Sequence, residues 1–156
     1  MSKKQLLFVC LGNICRSPAA AGIMQHLIQQ KKLDNAFHVQ SCGVGDWHIG
    51  QSPDERMVEA AKKRGIILKN RAKQFKISHF EDFDFILTSC NEVKGHLKRL
   101  TSNPVHHQKL VLMTHFSRIH PQTEVPDPYY GSSQDFDLVL DILEESCLSL
   151  LDFFDK

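Results

Sequence analysis

At 156 residues and 42% hydrophobic content, the chain has apolar material for one real core and is too short for two. Its 19 Lys and Arg against 18 Asp and Glu leave a formal charge of +1, which excludes the bulk basic character of a nucleic-acid or membrane-surface binder. No apolar run approaches the roughly twenty residues needed to span a bilayer, so membrane insertion is not expected.

The opening Met1-Ser2-Lys3-Lys4 is basic, but the apolar stretch after it is only a strand long and has no small-residue cleavage site, so no signal peptide is expected. Residues 5–9, with Leu6-Leu7-Phe8-Val9, read as a buried strand. A polar loop follows, and Ser17-Pro18 has the pattern of an N-cap with proline at the first helical position. The helix expected from Ser17 to Lys32 sets Ala20, Ile23, Met24, Leu27 and Ile28 on one face. Phe37 to Ser41 reads as a second strand. Ser52-Pro53-Asp54-Glu55 is a capping box, and Gly65 after Arg64 ends the helix it opens. Phe83–Thr88 and Lys109–Met113 are short runs of buried-strand type, with a helix over Asn91–Leu100 between them. Prolines on both sides of Asp127 make a stiff loop, and Ser132–Phe154 carries Phe136, Val139, Leu140, Leu143, Cys147, Leu150, Leu151 and Phe154 at helical spacing.

Strand and helix in alternation predict a single three-layer α/β domain over residues 1–156. Its four-stranded parallel sheet would be flanked by helices in a flavodoxin-like or Rossmann-like arrangement. Sites in such folds lie at the carboxyl ends of strands, and Cys10 stands at one.

The segment Cys10-Leu11-Gly12-Asn13-Ile14-Cys15-Arg16-Ser17 has the parts of a phosphate-gripping nucleophile. Loop N–H groups and the positive end of a helix dipole converge on one point, where they stabilise a bound phosphate or a thiolate. Arg16 adds a planar fork for two phosphate oxygens. Gly12 and Asn13 are the residue types that best accept the positive φ needed to turn N–H groups inward. The Ser17 hydroxyl is placed to donate toward the sulfur. A thiolate attacking phosphorus needs a proton donor for the departing oxygen. Asp127 is the candidate, with Tyr129 and Tyr130 as aromatic wall beside it.

Five cysteines, an odd number, point to reduced thiols in the cytoplasm. Cys42, Cys90 and Cys147 read as small core residues, while Cys15 is either packing or a resolving thiol for an oxidised Cys10. His106, His107, His115 and His120 lack metal-ligand spacing, and a thiolate bound to zinc could not attack. They read as surface or loop histidines, and neither metal nor cofactor is expected. Residues 62–76 carry Lys62, Lys63, Arg64, Lys69, Arg71, Lys73 and Lys76 without an acid. That is the pattern of solvated faces or, on weaker grounds, of a docking surface for acidic phosphoproteins.

Three motifs together resemble the low-molecular-weight protein tyrosine phosphatases: Val9 to Pro18, Gly45-Asp46-Trp47 with Gly50 and Pro53, and Asp127-Pro128-Tyr129-Tyr130-Gly131. The resemblance spans essentially the whole chain. It implies Cys10 as nucleophile, Arg16 as phosphate ligand, Asp127 as general acid and then base, and proteins bearing phosphotyrosine as substrates. It further implies Leu11, Gly12, Asn13, Ile14, Cys15 and Ser17 around the phosphate, Trp47, Tyr129 and Tyr130 around the substrate, and Ser41 as loop support. Asn70 stands where the family commonly has a loop-buttressing histidine, Ser89-Cys90 replaces a Met-Asp pair, and Ala19-Ala20-Ala21 lacks a frequent glutamate. Arsenate reductases of similar fold share the Cys-x5-Arg loop, with Cys90 as a hint in that direction. A phosphoarginine phosphatase and an inactive phosphopeptide-binding module are two further readings compatible with such a loop. In members that act on arginine a smaller polar residue tends to stand at the position of Ile14, so Ile14 favours phosphotyrosine.

Overall fold

The structure is a computed structural model, and it describes residues 3–154. The elements run β1 (Lys4–Cys10), α1 (Arg16–Gln30), β2 (Phe37–Gly43), α2 (Glu55–Lys62), α3 (His79–Asp82), β3 (Phe85–Thr88), α4 (Asn91–Lys98), α5 (Pro104–Lys109), β4 (Leu110–Leu112) and α6 (Ser133–Phe154). The strands pair in parallel in the order β2-β1-β3-β4. The chain leaves β1 toward one edge and later returns to its other side. The loops after β1 and β3 therefore diverge, and a crevice opens at their carboxyl ends.

Alternation along β1 builds the three layers. Leu6 and Phe8 face a core with Ile23 and Met24 of α1, Met57 of α2 and Leu140 and Leu143 of α6. Leu7 and Val9 face the opposite core with Phe80 of α3 and Val93 and Leu97 of α4. All four β1 side chains are at most 1% exposed. A one-residue slip of this strand would change nothing in polarity, so its register is fixed by pairing with a neighbour on each side. Among the described residues no helix is long and apolar enough to cross a membrane.

Several boundaries differ from those the sequence pattern predicts. α1 begins at Arg16 with Cys15 as N-cap, so Ser17 is not the cap, and Pro18 lies within the first turn, where its missing N–H costs nothing. α2 is capped by Asp54, whose side chain accepts from Arg56 N, so the cap is not Ser52. Gly65, at φ 79°, does close that helix, with its N–H donating to Lys62 O at 2.9 Å. Phe83 ends α3 instead of opening β3, and Lys109 ends α5 instead of opening β4.

The short helices α3 and α5 lie outside the predicted elements, although Asn103-Pro104 carries a start signal: Asn103 Oδ1 accepts from Val105 N at 2.9 Å. Nor is His106 a surface histidine. It is 9% exposed, stacks on Phe80 with centroids 4.8 Å apart, and contacts Glu81 Oε1 at 2.6 Å through Nε2. Cys42 and Cys147 are buried, whereas Cys90 is half-buried against the second core.

Candidate active site

Cys10 ends β1, and the next five residues curl back toward the start of α1. Val44 N–H donates to Cys10 O at 3.0 Å and Gly45 N–H to Leu11 O at 2.9 Å, pinning the loop entry to the strand beside it. Asn13 takes the positive φ, at 59°, while Gly12 does not. That turn aims Asn13 N–H at the Cys10 sulfur, 3.2 Å away. The strained residue is held from three sides: Oδ1 accepts from Lys73 N at 3.0 Å, and Nδ2 donates to Ser17 Oγ at 2.7 Å and Ser41 Oγ at 3.0 Å. Asn70 Nδ2 donates to the same Ser41 hydroxyl at 3.3 Å. The shorter side chain at position 70 thus reaches the loop through Ser41.

What Gly12 supplies is space. A Cβ there would stand 3.0 Å from His48 Cδ2. Gly43, which no sequence motif singles out, is under tighter constraint, because a Cβ on it would lie 2.9 Å from both Asn13 N and Gly12 C and 3.0 Å from Leu11 O. All three are backbone atoms of the loop. Gly43→Ala is expected to destabilise the fold by about 1–3 kcal/mol, as overpacking does, and to slow turnover at least about tenfold by displacing the loop. Urea unfolding and steady-state kinetics check it; wild-type values in both would remove Gly43 from the site.

Freed from capping, the Ser17 hydroxyl lies behind the Cys10 sulfur. It accepts from Asn13 Nδ2 and lies 2.9 Å from Cys10 Sγ and 3.2 Å from Cys42 O. It has one proton and two places to put it. While Cys10 is a thiol, its S–H donates to Ser17 and Ser17 donates to the Cys42 carbonyl. When Cys10 is a thiolate, the serine proton turns to the sulfur as a charge-assisted bond. Asn13 and Ser17 are 1% and 0% exposed, so their side chains brace the sulfur from behind.

In front of the sulfur is a cleft of about 210 Å³, lined by Cys10, Leu11, Gly12, Ile14, Cys15, Arg16, Asp127, Trp47, His48, Tyr129 and Tyr130. The Arg16 side chain is 7% exposed; its Nη1 donates to Val125 O at 3.2 Å and its Nη2 stands 3.7 Å from Asp127 Oδ2. Asp127 is anchored by its other oxygen, which accepts from Tyr129 N at 3.1 Å. The loop that carries it is tied to the end of β3, since Val125 N–H donates to Ser89 O at 2.8 Å and Glu124 caps α4 at Asn91 N, 2.7 Å. Trp47 and Tyr130 are 63% and 94% exposed, so they form the outer rim, and Tyr129 lies deeper. Burial, and next the Asp54 charge, push the Cys15 thiol up to about 12. Cys15 is thus protonated at neutral pH, packed in the larger core and touching the cleft.

Thiol, guanidinium and carboxyl converge at the switch point of a parallel sheet. Over residues 5–156 the chain matches the family profile described as low molecular weight phosphotyrosine protein phosphatase. The chain belongs to that family. A low molecular weight phosphotyrosine protein phosphatase of Schizosaccharomyces pombe is 38% identical over 85% of each chain. The crystal structure of a protein tyrosine phosphatase from Entamoeba histolytica, with Hepes in its active site, superposes with a TM-score of 0.93 at 38% identity, covering 98% of this chain and 97% of that one. A Drosophila arginine phosphatase superposes with a TM-score of 0.89 at 27% identity, covering 97% and 98%.

Three residues around the cleft of this low molecular weight phosphatase receive no role from the sequence. His48 lines the cleft and donates from Nδ1 to Gln51 Oε1 at 2.8 Å. Asp54 and Arg56 form a two-pronged ion pair beside it, at 3.1 Å from Nε to Oδ1 and 2.9 Å from Nη2 to Oδ2. Hydrogen bonds from Arg56 hold the Asp54 carboxyl below its ordinary range, and those to Asp54 raise Arg56 above its own. Of the three, only Asp54 falls within a sequence signal, the capping box Ser52-Pro53-Asp54-Glu55, which locates the start of α2 but not Asp54 as its cap.

Proposed function

We propose that this chain hydrolyses phosphotyrosine on proteins through a cysteinyl-phosphate intermediate, with Cys10, Arg16 and Asp127 as its catalytic groups. The observation that carries the reading is the meeting of these three side chains in one cleft, with a backbone N–H and a serine hydroxyl on the sulfur. The phosphate enters against the loop N–H groups and takes the Arg16 fork. Sulfur attacks phosphorus, the P–O bond to the tyrosine ring breaks, and protonated Asp127 gives its proton to the leaving oxygen. Asp127, now a carboxylate, takes a proton from water as that water attacks phosphorus, and phosphate departs as the thiolate is restored.

The whole of residues 1–156 serves as one catalytic domain in this reading, working in a reducing compartment such as the cytoplasm. The five cysteines are all free, and the reaction requires Cys10 to be so.

An aryl phosphate fits because a narrow loop recesses the sulfur behind a rim of Trp47, Tyr129 and Tyr130. The Drosophila arginine phosphatase keeps a phosphoarginine reading open, and the apolar Ile14 in the cleft wall argues for the aryl ester instead. Turnover of matched phosphotyrosine, phosphoserine and phosphoarginine peptides, plus arsenate reduction, with chelator present, tests the proposal. Phosphate release should be fastest from phosphotyrosine and indifferent to chelator. Preference for phosphoarginine, or arsenate reduction outpacing hydrolysis, overturns it.

A further inference from the structure

The reaction needs the acid on one loop to meet a phosphoryl group held by another, and the two loops follow different strands. Among the described residues, the side-chain hydrogen bond and ion pair made directly between them run through Arg16, to Val125 O and Asp127. A substrate that takes the Arg16 fork weakens that contact at the moment registration matters most.

A second guanidinium remains. Arg56, in the first turn of α2, donates from Nη2 to Tyr129 O at 2.8 Å, two residues from Asp127. The same group grips both oxygens of Asp54, at 3.1 and 2.9 Å. Asp54 in turn donates its backbone N–H to Ile14 O, in the phosphate loop, at 2.8 Å. The guanidinium carbon also sits 4.7 Å from the Phe136 ring centre and 5.4 Å from that of Tyr129. A continuous path thus runs from Ile14 through Asp54 and Arg56 to Tyr129, and Arg56 itself is not part of the cleft lining.

We infer that Arg56 is a positioning residue for the phosphatase reaction, holding the Asp127 loop in register with the phosphate loop while Arg16 is engaged by substrate. The inference rests on the reading of Asp127 as general acid. The task suits arginine specifically. Nε and Nη2 supply three N–H groups in one plane, two for the Asp54 carboxylate and one for the Tyr129 carbonyl, while the flat face covers Phe136. A lysine ammonium keeps the charge and loses the fork.

Arg56→Gln and Arg56→Lys, compared on phenyl phosphate and p-nitrophenyl phosphate, test it, because a misplaced acid slows the more basic leaving group more. Both variants should lose about 10- to 100-fold in kcat on phenyl phosphate, the cost of a displaced catalytic group, and several-fold less on p-nitrophenyl phosphate. For Arg56→Lys, which keeps the positive charge beside Asp54, competitive inhibition by inorganic phosphate should stay within about twofold of wild type, because Arg16 and the loop N–H groups are untouched. Placed in an Asp127→Asn background, neither substitution should cost anything further. Equal losses on the two esters, a parallel fall in phosphate binding by Arg56→Lys, a full additional loss in the Asp127→Asn background, or unchanged kinetics would each overturn the inference. If Asp127→Asn itself discriminates between the esters and the Arg56 variants do not, the positioning role alone is wrong. If Asp127→Asn does not discriminate, the acid assignment falls and the inference with it.

Discussion

Cys10→Ser is expected to abolish turnover, by at least about 10,000-fold, the scale on which loss of a nucleophile is felt. A serine hydroxyl at neutral pH offers almost no alkoxide, and the donors around position 10, Asn13 N–H and Ser17 Oγ, are arranged for an anion on sulfur. Binding should survive, because the loop N–H groups and Arg16 hold the phosphate and the serine removes neither. The variant should therefore still rise in melting temperature when inorganic phosphate is added. Appreciable hydrolysis by Cys10→Ser would sink the nucleophile assignment. A lost phosphate response would mean that the sulfur mainly supports the loop.

The proposed nucleophile and acid are legible in the sequence because each is announced by its immediate neighbours. The loop from Cys10 to Ser17 concentrates glycine, asparagine, arginine and serine where a strand becomes a helix, and Asp127 stands between two prolines. The layer order is legible for a similar reason: apolar runs of strand length alternate with helical periodicity, and only a parallel sheet covered on both faces buries them all.

What stays hidden depends on residues distant in sequence approaching one another. Gly43 looks like any glycine after a strand until the Asn13 backbone is found against it. Ser17 reads as a cap because Ser-Pro usually is one, yet the Cys10 sulfur and the Cys42 carbonyl claim its hydroxyl. The local preference yields because the helix can begin at Arg16 without it. Residue type alone lets Gly12 share the left-handed turn with Asn13, and the hydrogen bonds to Asn13 place the whole turn on one residue. Arg56 carries no signal at all, since its partner Tyr129 is 73 positions away.

Asp127→Asn should produce two opposite effects in one protein. Without a proton to give, the variant should lose about 100- to 10,000-fold in kcat on substrates with basic leaving groups, the range for general acid catalysis, and much less on activated esters whose leaving oxygen needs no proton. The loop should keep its shape, because an asparagine Oδ1 still accepts from Tyr129 N, now 3.1 Å from Asp127 Oδ1. Phosphate should meanwhile bind more tightly. In the free protein the carboxylate stands 3.7 Å from Arg16 Nη2, where it both competes for the guanidinium and repels an incoming anion. Removing one negative charge from the mouth of the cleft relieves both, so the inhibition constant for inorganic phosphate should fall. Inhibition measured at two salt concentrations checks the cause, because a gain that comes from charge shrinks as salt rises. Tighter phosphate binding with a leaving-group-dependent loss of kcat is a signature that partial unfolding cannot imitate. Equal losses across a leaving-group series would place the acid elsewhere, and weaker phosphate binding would mean that Asp127 orders Arg16 for the anion instead of opposing it.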